Sequence, residues 1–187
     1  MPRISRVDPA TANGRAAELI QDIEGRVGMV PNILLTMARA PAALEAYLGM
    51  SGPLAEGALE DETREAVALA LAEVNDCEYC RAAHTAKGRR MGLSRDETLE
   101  ARRGRSGDAK TQAAITFALR LNETLGHIGD EDLEAVRAAG YDDGEIVEIV
   151  ANVALNLFTN IFNHVAETSV DFPKVPPLAD YSSARGS

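Results

Sequence analysis

Apolar positions recur along this chain at three- and four-residue spacing, interrupted by residues that cap or break helices. Leu19, Ile20 and Ile23 mark one face of a helix expected from Ala10 to about Val27, with Asp8 as its cap and Pro9 at its first position. The segment Gly28-Met29-Val30-Pro31-Asn32 ends it, because a residue before proline avoids the α region. A short helix over Ile33 to Ala38 follows. Another starts at Pro41, runs through Leu44, Tyr47 and Leu48, and is expected to stop at Gly52-Pro53. Asp61 to Val74, rich in Ala and Leu, is a strong helix. Asn75-Asp76 then offers a cap for a new helix from Cys77 to Met91, closed by Gly92.

The second half has the same grammar. Ser94 with Glu97, and Asp142 with Glu145, have the spacing of a capping box, in which two side chains satisfy the free backbone N–H groups of a helix start. Helices are expected from Ser94 to near Gly104, over Asp108 to Leu125, over Asp130 to Ala139, and from Asp142 to about Ser169. No useful length of chain alternates with the period of a strand. The expected fold is all-α, a single-domain bundle of eight or nine helices over residues 1–175, with an extended proline-rich tail over 176–187.

Composition agrees with this. Of 187 residues, 45% are hydrophobic but only 4% aromatic, with no Trp, so the core is built from small aliphatic side chains suited to close helix packing. A net charge of −10 argues against nucleic acid as a partner. Arg89, Arg90, Arg102, Arg103 and Arg105 form the one basic run and are expected on a solvated surface. The N-terminus shows no signal-type apolar segment, and no uninterrupted apolar run approaches a membrane span, so a cytoplasmic protein with no membrane partner is expected.

In a reducing compartment, two close cysteines point to redox or metal chemistry rather than a structural staple. Cys77 and Cys80 are the only cysteines, and with His84 they fall within an arc of about 60° on one helix face. The first turn of a helix has free N–H groups and the positive end of the dipole, which favour thiolate over thiol. His84, one turn beyond Cys80, is placed to take its proton or stabilise its charge. Glu65, on the preceding helix, reaches His84 if the two helices pack side by side, with Glu73 as a competing acid nearer the solvated helix end. A structural zinc site needs four ligands, and His127 and His164 lie in other segments, so neither a metal nor a cofactor is expected. His127 is expected in a loop.

The last helix carries Asn152, Asn156, Asn160, Asn163 and His164 along one side of an otherwise apolar surface. Two readings stand. These groups form a satisfied network inside the bundle or across a subunit interface, or Asn160 or His164 lines the reaction pocket.

Glu65, Cys77-Glu78-Tyr79-Cys80, His84 and the following Gly92-Leu93-Ser94 resemble the carboxymuconolactone decarboxylase superfamily, in its alkylhydroperoxidase D-like, peroxidase-related branch. The resemblance also takes in residues 28–32, Ala138-Ala139-Gly140-Tyr141 and the Asn-rich helix up to Asp171-Phe172-Pro173, roughly residues 15 to 175. It implies an all-α fold that assembles as a dimer, trimer or hexamer. It implies Cys80 as the thiolate that attacks a hydroperoxide, Cys77 as the resolving thiol, and Glu65 with His84 as the proton relay. A lipoyl-type or thioredoxin-like external dithiol would be the reductant, since the chain has no glycine-rich dinucleotide motif. Position 79 is Tyr here, where some members carry a histidine, so Tyr79 is expected to pack or make one hydrogen bond. Two alternatives stand beside this one: decarboxylation of a lactone acid, which the superfamily name allows although that branch does not rely on a cysteine pair, and a non-catalytic redox sensor or interaction module whose disulfide changes its assembly.

Overall fold

A computed structural model describes residues 1–178 of the chain. Among the described residues the secondary structure is helical throughout. In chain order the helices are α1 (Gly14–Val27), α2 (Asn32–Met37), α3 (Pro41–Ala55), α4 (Asp61–Val74), α5 (Glu78–Met91), α6 (Arg95–Arg102), α7 (Ala109–Thr124), α8 (Asp130–Ala138) and α9 (Asp143–Ala166).

Helix α4 is the axis. Its Ala66, Val67, Leu69, Ala70, Leu71 and Ala72 are all buried, so it is apolar nearly all round, as a helix must be when neighbours cover every side. It packs against α5, α6, α7 and α9. Its small side chains divide the interior into two clusters. One joins α4 to Ala114, Ile115, Phe117 and Ala118 of α7 and to Ile146, Ile149 and Val153 of α9. The other joins Ala72 to α1, α2 and Leu44 of α3, and it includes Cys77, Tyr79 and Cys80. The cysteine pair is therefore part of the packed interior.

Both capping boxes form as expected, at Ser94 with Glu97 and at Asp142 with Glu145. Three boundaries differ by more than one residue. Asp8 accepts a bond from the Ala10 N–H, but this closes only a turn, and α1 starts at Gly14. Helix α3 runs through Gly52-Pro53 to Ala55; proline so near a helix end removes little of the hydrogen-bond ladder. Helix α9 stops at Ala166, where Glu167 turns to a left-handed backbone.

Helix α9 is long and apolar enough to cross a membrane by length and composition alone. It packs instead against α3, α4, α5 and α7, and it buries Asn152, Asn156, Asn160 and Asn163 on that side.

The basic run is not uniformly solvated. Arg102 is 4% exposed; its Nε donates to Glu73 Oε2 at 2.8 Å and its guanidinium also bonds the Pro176 carbonyl at 2.6 Å. The Leu178 N–H donates to the other oxygen of Glu73. Glu73 is thus an anchor for the returning C-terminal segment rather than a solvated acid competing for His84. Residues 179–187 of the expected tail lie outside the described residues.

Candidate functional site

The loop Asn75-Asp76 turns the chain from α4 into α5. Asp76 takes a left-handed backbone (φ 50°), which Asp tolerates better than most residues. The cap of α5 is Cys77 itself, one residue later than expected. Its Sγ accepts the Cys80 N–H at 3.2 Å, in the position where a serine or asparagine oxygen usually stands. Cys77 and Cys80 are joined in a disulfide, with Cα atoms 5.2 Å apart.

Helix α9 holds this loop from the far side. The Asn75 side-chain amide donates to Asn160 Oδ1 at 2.9 Å and to Asn122 Oδ1 at 3.0 Å. His164 Nε2 donates to the Asn75 carbonyl at 2.8 Å. Asn160, 1% exposed, therefore belongs to a buried network, whereas His164 is exposed and also lines a cleft beside Cys77. Asn163, one residue before His164, donates its amide to Cys80 Sγ at 3.4 Å. Of the Asn-rich face it is the residue that touches sulfur, whereas the sequence points to Asn160 and His164.

Packing of α4 against α5 brings Glu65 to His84. Glu65 Oε2 lies 2.9 Å from His84 Nδ1, and Glu65 is 2% exposed. Its other oxygen accepts from Lys87 Nζ, a partner the sequence reading did not select. Lys87 follows His84 by three residues, a spacing that places both on one face of α5 and could have revealed it. Burial on its own pushes the Glu65 carboxyl up. The charge and hydrogen bond of His84, followed by those of Lys87, more than reverse this and hold it down to about 2. Glu65 is thus a fixed anion near neutrality, bonded at both oxygens, and it orients the imidazole. Among the described residues His84 Nε2 has no protein partner.

Glu65, His84 and Lys87 line a cleft of about 100 Å³, together with Tyr47, Ser51 and Asn156. Neither cysteine lines it, and in the oxidised pair no hydrogen bond joins His84 to Cys80.

Tyr79 is buried and does structural work. Its hydroxyl donates to Asp171 Oδ1 at 2.8 Å and accepts the Ile33 N–H at 3.3 Å, while its ring meets Phe172 edge to face. Burial, together with the bond to Asp171, pushes the phenol well above its ordinary value, so it stays protonated. His127 lies in the exposed turn between α7 and α8, and among the described residues no group of three or more His, Cys, Asp or Glu is placed to hold a metal.

The chain is similar over its length to solved structures of this architecture. An alkylhydroperoxidase AhpD core, peroxidase-related protein from Ralstonia eutropha JMP134 superimposes with a TM-score of 0.82 at 23% identity, covering 91% of this chain and 92% of its own. The debrominase Bmp8 superimposes with a TM-score of 0.75 at 21% identity, covering 90% and 92%. In sequence, an uncharacterized protein of the cox locus of Paracoccus denitrificans is 35% identical over 66 residues, which are 34% of this chain. The match spans 60% of that relative's length. Residues 41–123, which hold Glu65, both cysteines and His84, match the Carboxymuconolactone decarboxylase family, and the whole described fold is that of the AhpD-like, peroxidase-related proteins.

Proposed function

We propose that the chain is a thiol-dependent hydroperoxide reductase acting in antioxidant defence. The observation that carries this reading is the Cys77–Cys80 disulfide at the start of α5, one turn before a histidine fixed by a buried carboxylate. The Cys80 thiolate, at the third position of α5 and bonded by the Asn163 amide, attacks the terminal oxygen of a hydroperoxide. The O–O bond breaks, the alcohol leaves, and Cys80 becomes a sulfenic acid. The Cys77 thiolate then attacks that sulfur, water leaves, and the disulfide forms. An external dithiol, lipoyl-type or thioredoxin-like, returns two electrons by exchange.

His84 takes the Cys80 proton through Nε2, by way of water, because no direct bond joins them in the oxidised pair. Glu65 holds the tautomer. This narrows the relay implied by the family resemblance, since a carboxylate held at about 2 and bonded at both oxygens orients the base and does not itself receive the proton.

The same reading includes self-association. Val147, Val150, Phe158, Ile161 and Val165 of α9 are all exposed and recur at helical spacing, an apolar stripe that a second copy would cover. Light scattering at micromolar concentration should give a mass above one chain, and a monomer there would remove this part of the proposal.

The activity is tested by reacting reduced protein with hydrogen peroxide and with an organic hydroperoxide in stopped flow. Wild type should lose two thiols per chain. Cys77→Ser should stop at the sulfenic acid, and Cys80→Ser should lose nearly all reactivity. Robust turnover by Cys80→Ser, or decarboxylation of a lactone acid surviving loss of both cysteines, would overturn the assignment.

A further inference from the structure

The cleft that holds Glu65 and His84 is not the one that meets the disulfide. A second cleft, of about 360 Å³, opens on the other side of the α4–α5 loop and is lined by Cys77, but not by Cys80. Asn163 and Thr168 also line it, and each is more than nine-tenths buried. Asn163 Oδ1 and Thr168 Oγ1 have no hydrogen-bond partner. Buried polar atoms are almost always paired; both of these are covered within the cleft wall, so a donor group entering the cleft reaches them only as that wall shifts. The rim is acidic: Asp76, Glu78 and Glu167 face the cleft against the single guanidinium of Arg3. Arg3 is itself paired with Glu167, and Asp76 with Arg81, whereas Glu78 is exposed. Cys77 is only 2% exposed, so its sulfur is approached by a slim thiol-bearing arm rather than by a flat protein surface.

We propose that this cleft receives the reducing thiol, directs its attack to Cys77 Sγ, and selects uncharged or cationic donors over anionic ones. The inference rests on the thiol-redox reading above and adds the entrance, the sulfur attacked and the charge class of the donor. The donor thiolate forms a bond to Cys77 Sγ as the Cys77–Cys80 bond breaks, and the electron pair leaves on Cys80 Sγ. That leaving thiolate already has the Asn163 amide directed at it, 3.4 Å away. A lower-pKa thiol leaves faster, which favours attack at Cys77 over attack at Cys80. A second donor sulfur then attacks the first, the donor disulfide is released, and Cys77 takes a proton from solvent. The protein gains two electrons and the donor loses two.

The test uses the oxidised full chain and three two-carbon thiols of similar size: 2-mercaptoethanol, cysteamine and 2-mercaptoethanesulfonate. Rates are compared per thiolate, corrected for the intrinsic nucleophilicity of each donor. At low salt the sulfonate should lag cysteamine by about fivefold, the order that one net unit charge roughly 8 Å away in water imposes on probes of opposite sign. The gap should shrink at high salt and in Glu78→Gln. Iodoacetamide added early in the reaction should label Cys80, with the donor on Cys77, as read by fragmentation of the peptide holding both. Equal rates for the three donors, or the label on Cys77, would overturn the inference and leave the thiol-redox reading standing. Failure of all three to reduce the native disulfide would overturn both.

Discussion

Replacing Glu65 with Gln isolates the buried charge that organises the site. The carboxyl is held down from its ordinary 4.5 to about 2, with burial opposing and His84, followed by Lys87, prevailing. At ~1.4 kcal/mol per pH unit, that depression corresponds to about 3 kcal/mol of folded-state stability. Most of it is contributed by His84. Lys87 is 57% exposed, so solvent screens its share. The direction follows from proton counting. Between pH 4.5 and about 2 the unfolded chain binds a proton at Glu65 and the folded chain does not. The contribution is therefore complete above pH 4.5, falls as the pH drops through this window, and is gone below about 2. Urea unfolding of wild type and Glu65→Gln at pH 7, 5, 4 and 3 should show a gap of about 3 kcal/mol at the top of this range that closes toward the bottom. Other carboxylates titrate in both proteins and cancel in the difference. A gap that stays constant from pH 7 to 3 would show that Glu65 is not held as an ion, and the account of how His84 is oriented would fail with it.

Two further outcomes follow from the geometry. Tyr79→Phe removes the hydroxyl that links the Ile33 N–H to Asp171, leaving a buried donor unpaired; unfolding free energy should fall by about 1–3 kcal/mol, while the rate of thiol oxidation by peroxide should hold. Asn163→Leu removes the amide from Cys80 Sγ; thiolate absorbance near 240 nm should appear at a pH about half a unit to one unit higher than in wild type, and an unchanged titration would remove Asn163 from the chemistry.

The parts of this protein legible from residue order are those whose physics is local. The boxes at Ser94 with Glu97 and Asp142 with Glu145 act over three residues, and both form. The bounds of α4 were readable because its composition and its flanking breakers agree. Proximity of Cys77 and Cys80 needs only one turn of backbone. Residue order misleads where a distant segment supplies the partner, and where a turn imitates the start of a helix. Arg102 sits in a charge run that looks solvated until the C-terminal segment returns to cover it, 74 residues later at Pro176. Asp8 looked like a helix cap because a turn and a helix share the same first hydrogen bond.

The sequence by itself determined the all-helical class, most helix boundaries, and a thiol pair at a helix start with a histidine one turn on. Each of these follows from backbone hydrogen bonding and side-chain spacing within a few residues. Only the tertiary structure decided what surrounds that pair. Packing of α4 on α5 set Glu65 against His84 and Lys87. Helix α9 brought the amide of Asn163 to Cys80 across 83 residues, and its Asn160 and His164 pinned the loop before Cys77. These contacts depend on which helix faces meet. That choice is made by the buried surface of the whole chain, so no local spacing encodes it.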